Sequence, residues 1–304
     1  MNESRPRRLP GLARKLYRRS RALRRARSEN RLQPRLRVDS DAPELVLSPH
    51  WDDAVLDCWS LLSSGRELTV VNVFAGVPPP GRAGVWESVS GARDSAERAR
   101  RRIAEDTRAL ALAGRAPLSL ALLDAKYRQT PSALDVDELD RALSAAVQSA
   151  SHVYVPAGIG AHADHLLARR YGRLLLRAGM PVTLYAELPY CIFHGWPSWV
   201  DGREPEPNRN VEAYWLSFLE RVPEMPPLRS AYVERMDGPT AAAKLEAIRC
   251  YETSLNYGIR CLLADPAFHG FEVRWQLVGP TGDAAQTMTP GRAADGGAGP
   301  TTGD

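Results

Sequence analysis

Apolar residues along this chain fall into two patterns, and the two alternate. Short solid runs bounded by Ser, Pro or Gly predict buried strands at Glu44–Leu47, Leu68–Phe74, Leu118–Leu123, Val153–Pro156, Val182–Tyr185 and Glu272–Leu277. Between them, apolar positions three and four residues apart predict helices. These cover a stretch after the first strand to about Ser63, stopped by Gly65-Arg66, then about Asp94–Ala113, Leu134–Ala150, a segment opening at Leu166, and Thr240–Tyr251. The loop Gly76–Gly91, with Pro78-Pro79-Pro80, is too long for a tight connection and suits a pocket wall or lid. Residues 211–233 show no readable period. Strands alternating with helices predict a mostly parallel sheet covered on both faces.

Polar residues collect where strands end, which in an open parallel sheet is the ligand face. After the first strand come His50, Asp52 and Asp53. After the Val153–Pro156 strand and the turn Ala157–Gly160 come His162, Asp164 and His165. After Leu123 come Asp124 and Arg128, candidate substrate contacts or a local ion pair. If a helix opens near His50, positions i and i+3 share a face, so His50 and Asp53 can point at one ion while Asp52 points elsewhere. Imidazole and carboxylate suit zinc, and also iron or other divalent metals. Taken alone, the first group also reads as a helix N-terminal cap. The recurrence of the pattern at a second strand end, with three of the chain's six histidines in the two motifs, favours a site.

The motif pair Pro49-His50-Trp51-Asp52-Asp53 and His162-Ala163-Asp164-His165 resembles the signatures of the LmbE-like (PIG-L-like) metal-dependent de-N-acetylases, Pro-His-Pro-Asp-Asp-Glu and His-Pro-Asp-His. The resemblance extends over residues 43–277. Arg102 and Glu105, followed by Ala109 and Gly114, match the family's Arg-x-x-Glu helix, and Lys244, Ala247 and Tyr251 match a late helix. Departures are Trp51 for Pro, Ala54 for Glu, and Trp59-Ser60 for Gly-Gly. Trp51 reads either as a pocket-mouth or sugar-stacking residue or as one packed under its loop.

The resemblance implies an α/β fold, a Rossmann-like three-layer sandwich of LmbE/PIG-L type. It implies a zinc-dependent hydrolase (Fe2+ being another fit) that removes N-acetyl from an N-acetylglucosaminyl-type substrate, whether amino sugar, glycoconjugate or glycosylated natural product. His50, Asp53 and His165 would be the ligands and Asp52 the general base. His162 would donate to the oxyanion or protonate the leaving amine, with Asp164 orienting it or capping the next helix. Arg102 would reach a substrate hydroxyl or phosphate, or pair with Glu105. His194 receives no role. Two alternatives stand beside this reading: an amidase of the same family acting on another N-acyl or thiol-conjugate substrate, and a catalytically silent metal module.

Charge adds an organisation that periodicity does not show. Residues 1–37 carry thirteen Arg and one Lys against two Glu, a net +12, so the rest of the chain carries −8 of the overall +4. Residues 1–40 are therefore expected to be a basic, flexible arm, 41–278 the deacetylase domain, and 279–304 a disordered Gly/Thr/Ala tail. Leu12, Leu16 and Leu23 give the arm a thin apolar stripe, fit for an anionic membrane surface. With Tyr17 as its one aromatic it has no stacking platform, and no nucleic-acid partner is expected. Four scattered cysteines, no secretory segment and no apolar run of about eighteen residues point to a cytoplasmic protein without a membrane span. No glycine-rich phosphate loop follows the first strand, so no nucleotide cofactor is expected.

Overall fold

The computed structural model describes residues 38–130, 134–188, 194–204, 207–255 and 257–279. Most of the expected arm and tail, at 1–37 and 280–304, lies outside the described residues.

Among the described residues seven strands form one sheet: β1 Glu44–Ser48, β2 Leu68–Asn72, β3 Pro117–Ser119, β4 His152–Pro156, β5 Val182–Tyr185, β6 Tyr232–Arg235 and β7 Phe271–Gln276. Their order is β3-β2-β1-β4-β5-β7-β6. The first five are mutually parallel, while β7 runs antiparallel to β5 and to β6. The chain builds outward from β1 through β2 to β3, then restarts at β4 on the other flank. The crevice beyond the carboxyl ends of β1 and β4 is thus the topological switch point, where open α/β sheets bind ligands. Register places Leu45 opposite Val153 and Val46 opposite Tyr154.

The five helices that matter for the site are α1 Asp53–Asp57, α2 Ser95–Ala111, α3 Val136–Gln148, α4 Ala163–Arg177 and α5 Gly238–Arg249. Local chemistry sets their starts. Asp94 accepts from Glu97 N at 2.8 Å and Asp135 from Glu138 N at 3.1 Å, the side-chain caps that satisfy otherwise orphaned helix amides. Leu139, Leu143 and Val147 repeat every four residues and are all buried, giving α3 one apolar face for the sheet. Gly172 of α4 lets that helix approach β4 closely, since a Cβ there would sit 2.8 Å from a Val155 methyl.

The expected elements are present, with three departures. The helix after β1 breaks at Cys58 (φ −132°), because the amide and hydroxyl of Ser60 both donate to Glu272 on β7 and draw the second turn, Trp59–Leu62, toward that strand. Glu272 is also the fully buried partner of Lys244 on α5, at 2.9 Å. The strand expected to run to Leu123 ends at Ser119. Residues 120–122 instead cross over the end of β2, with a bridge between Phe74 and Ala121. Gly76 is needed at this crossing, since any Cβ there would meet the Ala121 carbonyl oxygen at 2.4 Å. The unreadable stretch holds a helix, Val211–Leu219, and the edge strand β6. Among the described residues no helix is long and apolar enough to cross a membrane.

Candidate metal centre

Each half of the site is pinned by its own loop. Beyond β1, the Ser48 hydroxyl donates to His50 O at 2.6 Å and accepts from Ala54 N at 3.0 Å, stapling the strand-to-helix turn. His50 N donates to Asp53 Oδ2 at 2.8 Å, which fixes that carboxylate beside its own imidazole. Beyond β4, Gly158 and Gly160 take positive φ, and His162 sits at the N-cap of α4 with its ring on the helix's first turn.

Tertiary packing then brings three atoms into a triangle. His50 Nδ1 lies 3.3 Å from Asp53 Oδ2, His165 Nε2 lies 3.4 Å from Asp53 Oδ2, and the two ring nitrogens are 3.3 Å apart. A tetrahedral ion with bonds of about 2.0–2.1 Å requires ligand atoms about 3.3–3.4 Å apart, so the donor set fits a divalent metal with one position left open. All three residues are buried. Each imidazole turns its other nitrogen to a carboxylate: His50 Nε2 to Asp164 at 3.1 Å, and His165 Nδ1 to Glu187 at 3.1 Å. Such outer partners fix the ring and the tautomer of a metal-ligating histidine.

The electrostatics agree. Burial opposes protonation of His50, but the Asp164 and Asp53 carboxylates outweigh it and raise its pKa to about 9. His165 is likewise raised, against its burial, by Asp53 and Glu187, while Asp53 is pulled well below the usual carboxylate range by the two imidazoles despite its own burial. Two protonated nitrogens facing each other at 3.3 Å repel, whereas one divalent cation inside the triangle satisfies all three groups.

His162 lies beside this triangle, its ring centroid 4.8 Å from that of His50 and 5.2 Å from that of His165. Burial and the two neighbouring imidazoles lower its pKa to about 4. Its Nδ1 accepts from Asp164 N at 3.3 Å. That contact occupies the Nδ1 lone pair and puts the proton of the neutral ring on Nε2.

Other expected site residues take partners of their own. The Asp164 carboxylate does not orient His162. It holds His50, and accepts from Ala125 N at 2.9 Å and Arg128 at 2.6 Å; only the Asp164 backbone amide meets His162. Arg128 thereby sits in a buried ion pair, over the Phe74 ring. Asp124 caps the turn Ala125–Tyr127, pairs with Lys126 at 3.5 Å, and stands 4.0 Å from His50 Nε2. Arg102 does not pair with Glu105. Its Nη2 faces both oxygens of Asp52, at 3.4 and 3.5 Å, and its Nε donates to Ser254 Oγ. Trp51 is buried under its loop with Arg102 lying on its ring, so it offers no face to a sugar. His194 stacks on Tyr214, in a separate cavity of about 480 Å³.

Glu187 is the residue sequence reading passed over. Fully buried, it also accepts from Gly158 N (2.6 Å) and Ile159 N (3.2 Å). The available signal was an acid directly after a buried strand, the criterion that had singled out Asp124.

No family model matches the sequence. Two curated relatives are each a 2'-N-acetylparomamine deacetylase. The one from Niallia circulans is 27% identical over 187 residues, spanning 49% of this chain and 68% of the relative. The one from Streptomyces fradiae is 33% identical over 167 residues, 48% of this chain and 57% of the relative. Among solved structures, a triple mutant of a deacetylase from the teicoplanin biosynthetic pathway superposes with a TM-score of 0.60 at 24% identity, covering 80% of this chain and all of the other. With its paired His/Asp motifs at the two central strand ends, and with deacetylases among the proteins it is similar to in sequence and in fold, the chain resembles the LmbE-like (PIG-L-like) metal-dependent de-N-acetylases.

Proposed function

We propose that this protein hydrolyses the N-acetyl amide of a 2-acetamido sugar in a glycosylated small molecule, with zinc held by His50, Asp53 and His165. The observation that carries this reading is the triangle of ligand atoms at 3.3, 3.4 and 3.3 Å. The names of the relatives, each a 2'-N-acetylparomamine deacetylase, support the substrate class.

Zinc at this place supplies Lewis-acid polarisation of the acyl oxygen and a water of lowered pKa. The chain supplies the rest. Asp52, adjacent to the triad and not engaged in capping its own helix, takes the proton from the attacking water. His162 presents Nε2–H to the oxyanion that develops at the acyl carbon. A new C–O bond forms, the C–N bond breaks, the proton held by Asp52 passes to the departing amine, and the products are acetate and a free amino sugar. Asp164 and Glu187 keep the two imidazoles turned to the metal. The same reading has the protein act in the cytoplasm, with its basic arm available to an anionic membrane surface.

The test is release of acetate and amine from a panel of N-acetylglucosaminyl compounds, including an N-acetylated pseudodisaccharide, with and without added zinc and beside Asp52→Ala. Zinc-dependent release that the variant loses is the expected result. A protein that binds zinc at the triad yet releases acetate from no member of the panel would sink the substrate assignment. One that binds no metal would sink the chemistry.

A further inference from the structure

We propose that Ser254 and Glu105 are positioning residues for Asp52, acting through Arg102. This rests on the role given to Asp52 above.

Among the described residues the Asp52 carboxylate meets one side chain, Arg102, and the contact is long: 3.4 and 3.5 Å to its two oxygens. At that length the pair is an ion pair with little directional hold. The direction must therefore come from what fixes the guanidinium. Two groups do so. The Trp51 ring lies under it, 4.8 Å from Cζ to the ring centroid, and Ser254 Oγ accepts from Nε at 2.9 Å.

Ser254 is held in turn. Its amide donates to Glu105 Oε2 at 3.1 Å and its hydroxyl to the same oxygen at 3.3 Å. Thr253 N donates to Glu105 Oε1 at 2.7 Å, and the Thr253 hydroxyl adds a fourth donor. Arg98, one turn before Arg102 on α2, donates to Thr253 O at 3.3 Å and steadies the same loop.

The spacing makes this informative. Arg102 and Glu105 stand at i and i+3 of one helix, where opposite charges ordinarily pair. Here the Thr253-Ser254 loop fills the carboxylate with four donors, so Glu105 is spent on the loop and Arg102 is left to face Asp52. The arrangement moves the arginine's charge away from its natural helical partner and toward the base. Ser254 and Glu105 make no hydrogen bond to His50, Asp53 or His165 among the described residues.

The experiment measures kcat and KM separately for Ser254→Ala, Ser254→Thr and Glu105→Gln in the zinc-loaded enzyme. Each substitution at 254 is repeated in the Asp52→Ala background, with bound zinc and melting temperature as controls. Ser254→Ala is expected to lower kcat about 10- to 100-fold at unchanged KM and metal content, the scale of a roughly 1 Å misplacement. Ser254→Thr restores most of the rate, and Ser254→Ala adds nothing further once Asp52 is gone. If Glu105→Gln unfolds, the Ser254 pair still decides the matter. A wild-type kcat in Ser254→Ala, or an equal drop with and without Asp52, overturns the relay and leaves the base role of Asp52 standing. Full activity in Asp52→Ala alone overturns both.

Discussion

His165 Nε2 lies 3.3 Å from His50 Nδ1 although 115 residues separate the two in the chain. The contact exists because β1 and β4 are parallel neighbours and both imidazoles project from the loops and helix starts just beyond the strands' carboxyl ends. With Asp53 as the third corner, this pair outlines the candidate metal position.

Loss of one corner should remove the ion. His165→Ala is expected to bind less than a tenth of an equivalent of zinc under conditions that saturate the native protein, and to lose activity with it. Native protein treated with a chelator should melt lower, and zinc titrated back should restore both melting temperature and turnover. Elemental analysis alongside thermal melts checks all three.

Asp52→Ala separates chemistry from binding. It should hold zinc as the native protein does while turnover falls by about 10²- to 10⁴-fold, the usual contribution of a general base. A variant with near-native turnover would remove the base from Asp52.

Glu187→Gln tests the outer partner of His165. The amide keeps the shape but replaces one acceptor oxygen among the contacts to His165, Gly158 N and Ile159 N. Zinc affinity or activity should weaken about 10- to 100-fold, read by competition with a zinc-binding indicator. Unchanged affinity and rate would make Glu187 a loop staple only.

His152 gives a pH dependence far from the reaction. Burial, reinforced by the Arg66 charge, lowers its pKa to about 4, and its Nε2 lies 2.8 Å from the Thr183 hydroxyl. Between pH 6.5 and about 4 the unfolded chain takes up a proton at this residue and the folded chain does not. Stability from this group is therefore complete above pH 6.5 and declines as pH falls, by at most about 3 kcal/mol. Urea midpoints at pH 7.5 and 5.0 should differ less in His152→Gln than in the native protein.

Gly172→Ala probes the fold that carries the site. The added methyl meets Val155 at 2.8 Å, so α4 must move off β4 or Val155 must yield. A loss of about 1–3 kcal/mol is expected from such overpacking, measured by chemical denaturation. Because α4 carries His165, zinc affinity should fall along with stability.

Much of this was legible in the chain. Strand runs such as Leu45–Leu47 and Val153–Val155, and the four-residue repeat of Leu139, Leu143 and Val147, are local patterns tied to how each element meets the core. The motif residues are local too: a polar group directly after a buried strand lies at the sheet's ligand edge whatever the rest of the chain does. The grouping of His50 and Asp53 at one candidate site could therefore be read from sequence, with His165 added by the family resemblance, and so could a mostly parallel sheet. The break at Cys58 and the early end of β3 could not, because each answers to a partner distant in sequence: Glu272 for the first, and the crossing at Gly76 for the second.

What the sequence by itself determined was which residues could act and at which end of the sheet they would stand. Tertiary structure alone decided which way each side chain faces. Asp164 turns its carboxylate to His50 rather than His162, Arg102 faces Asp52 rather than Glu105, Trp51 is covered, and Glu187 closes on His165. The physical reason is that identity and periodicity act over a few residues, whereas the direction of a buried polar group is set by whichever partner packing brings within hydrogen-bond reach. In this site those partners come from up to about 150 residues away.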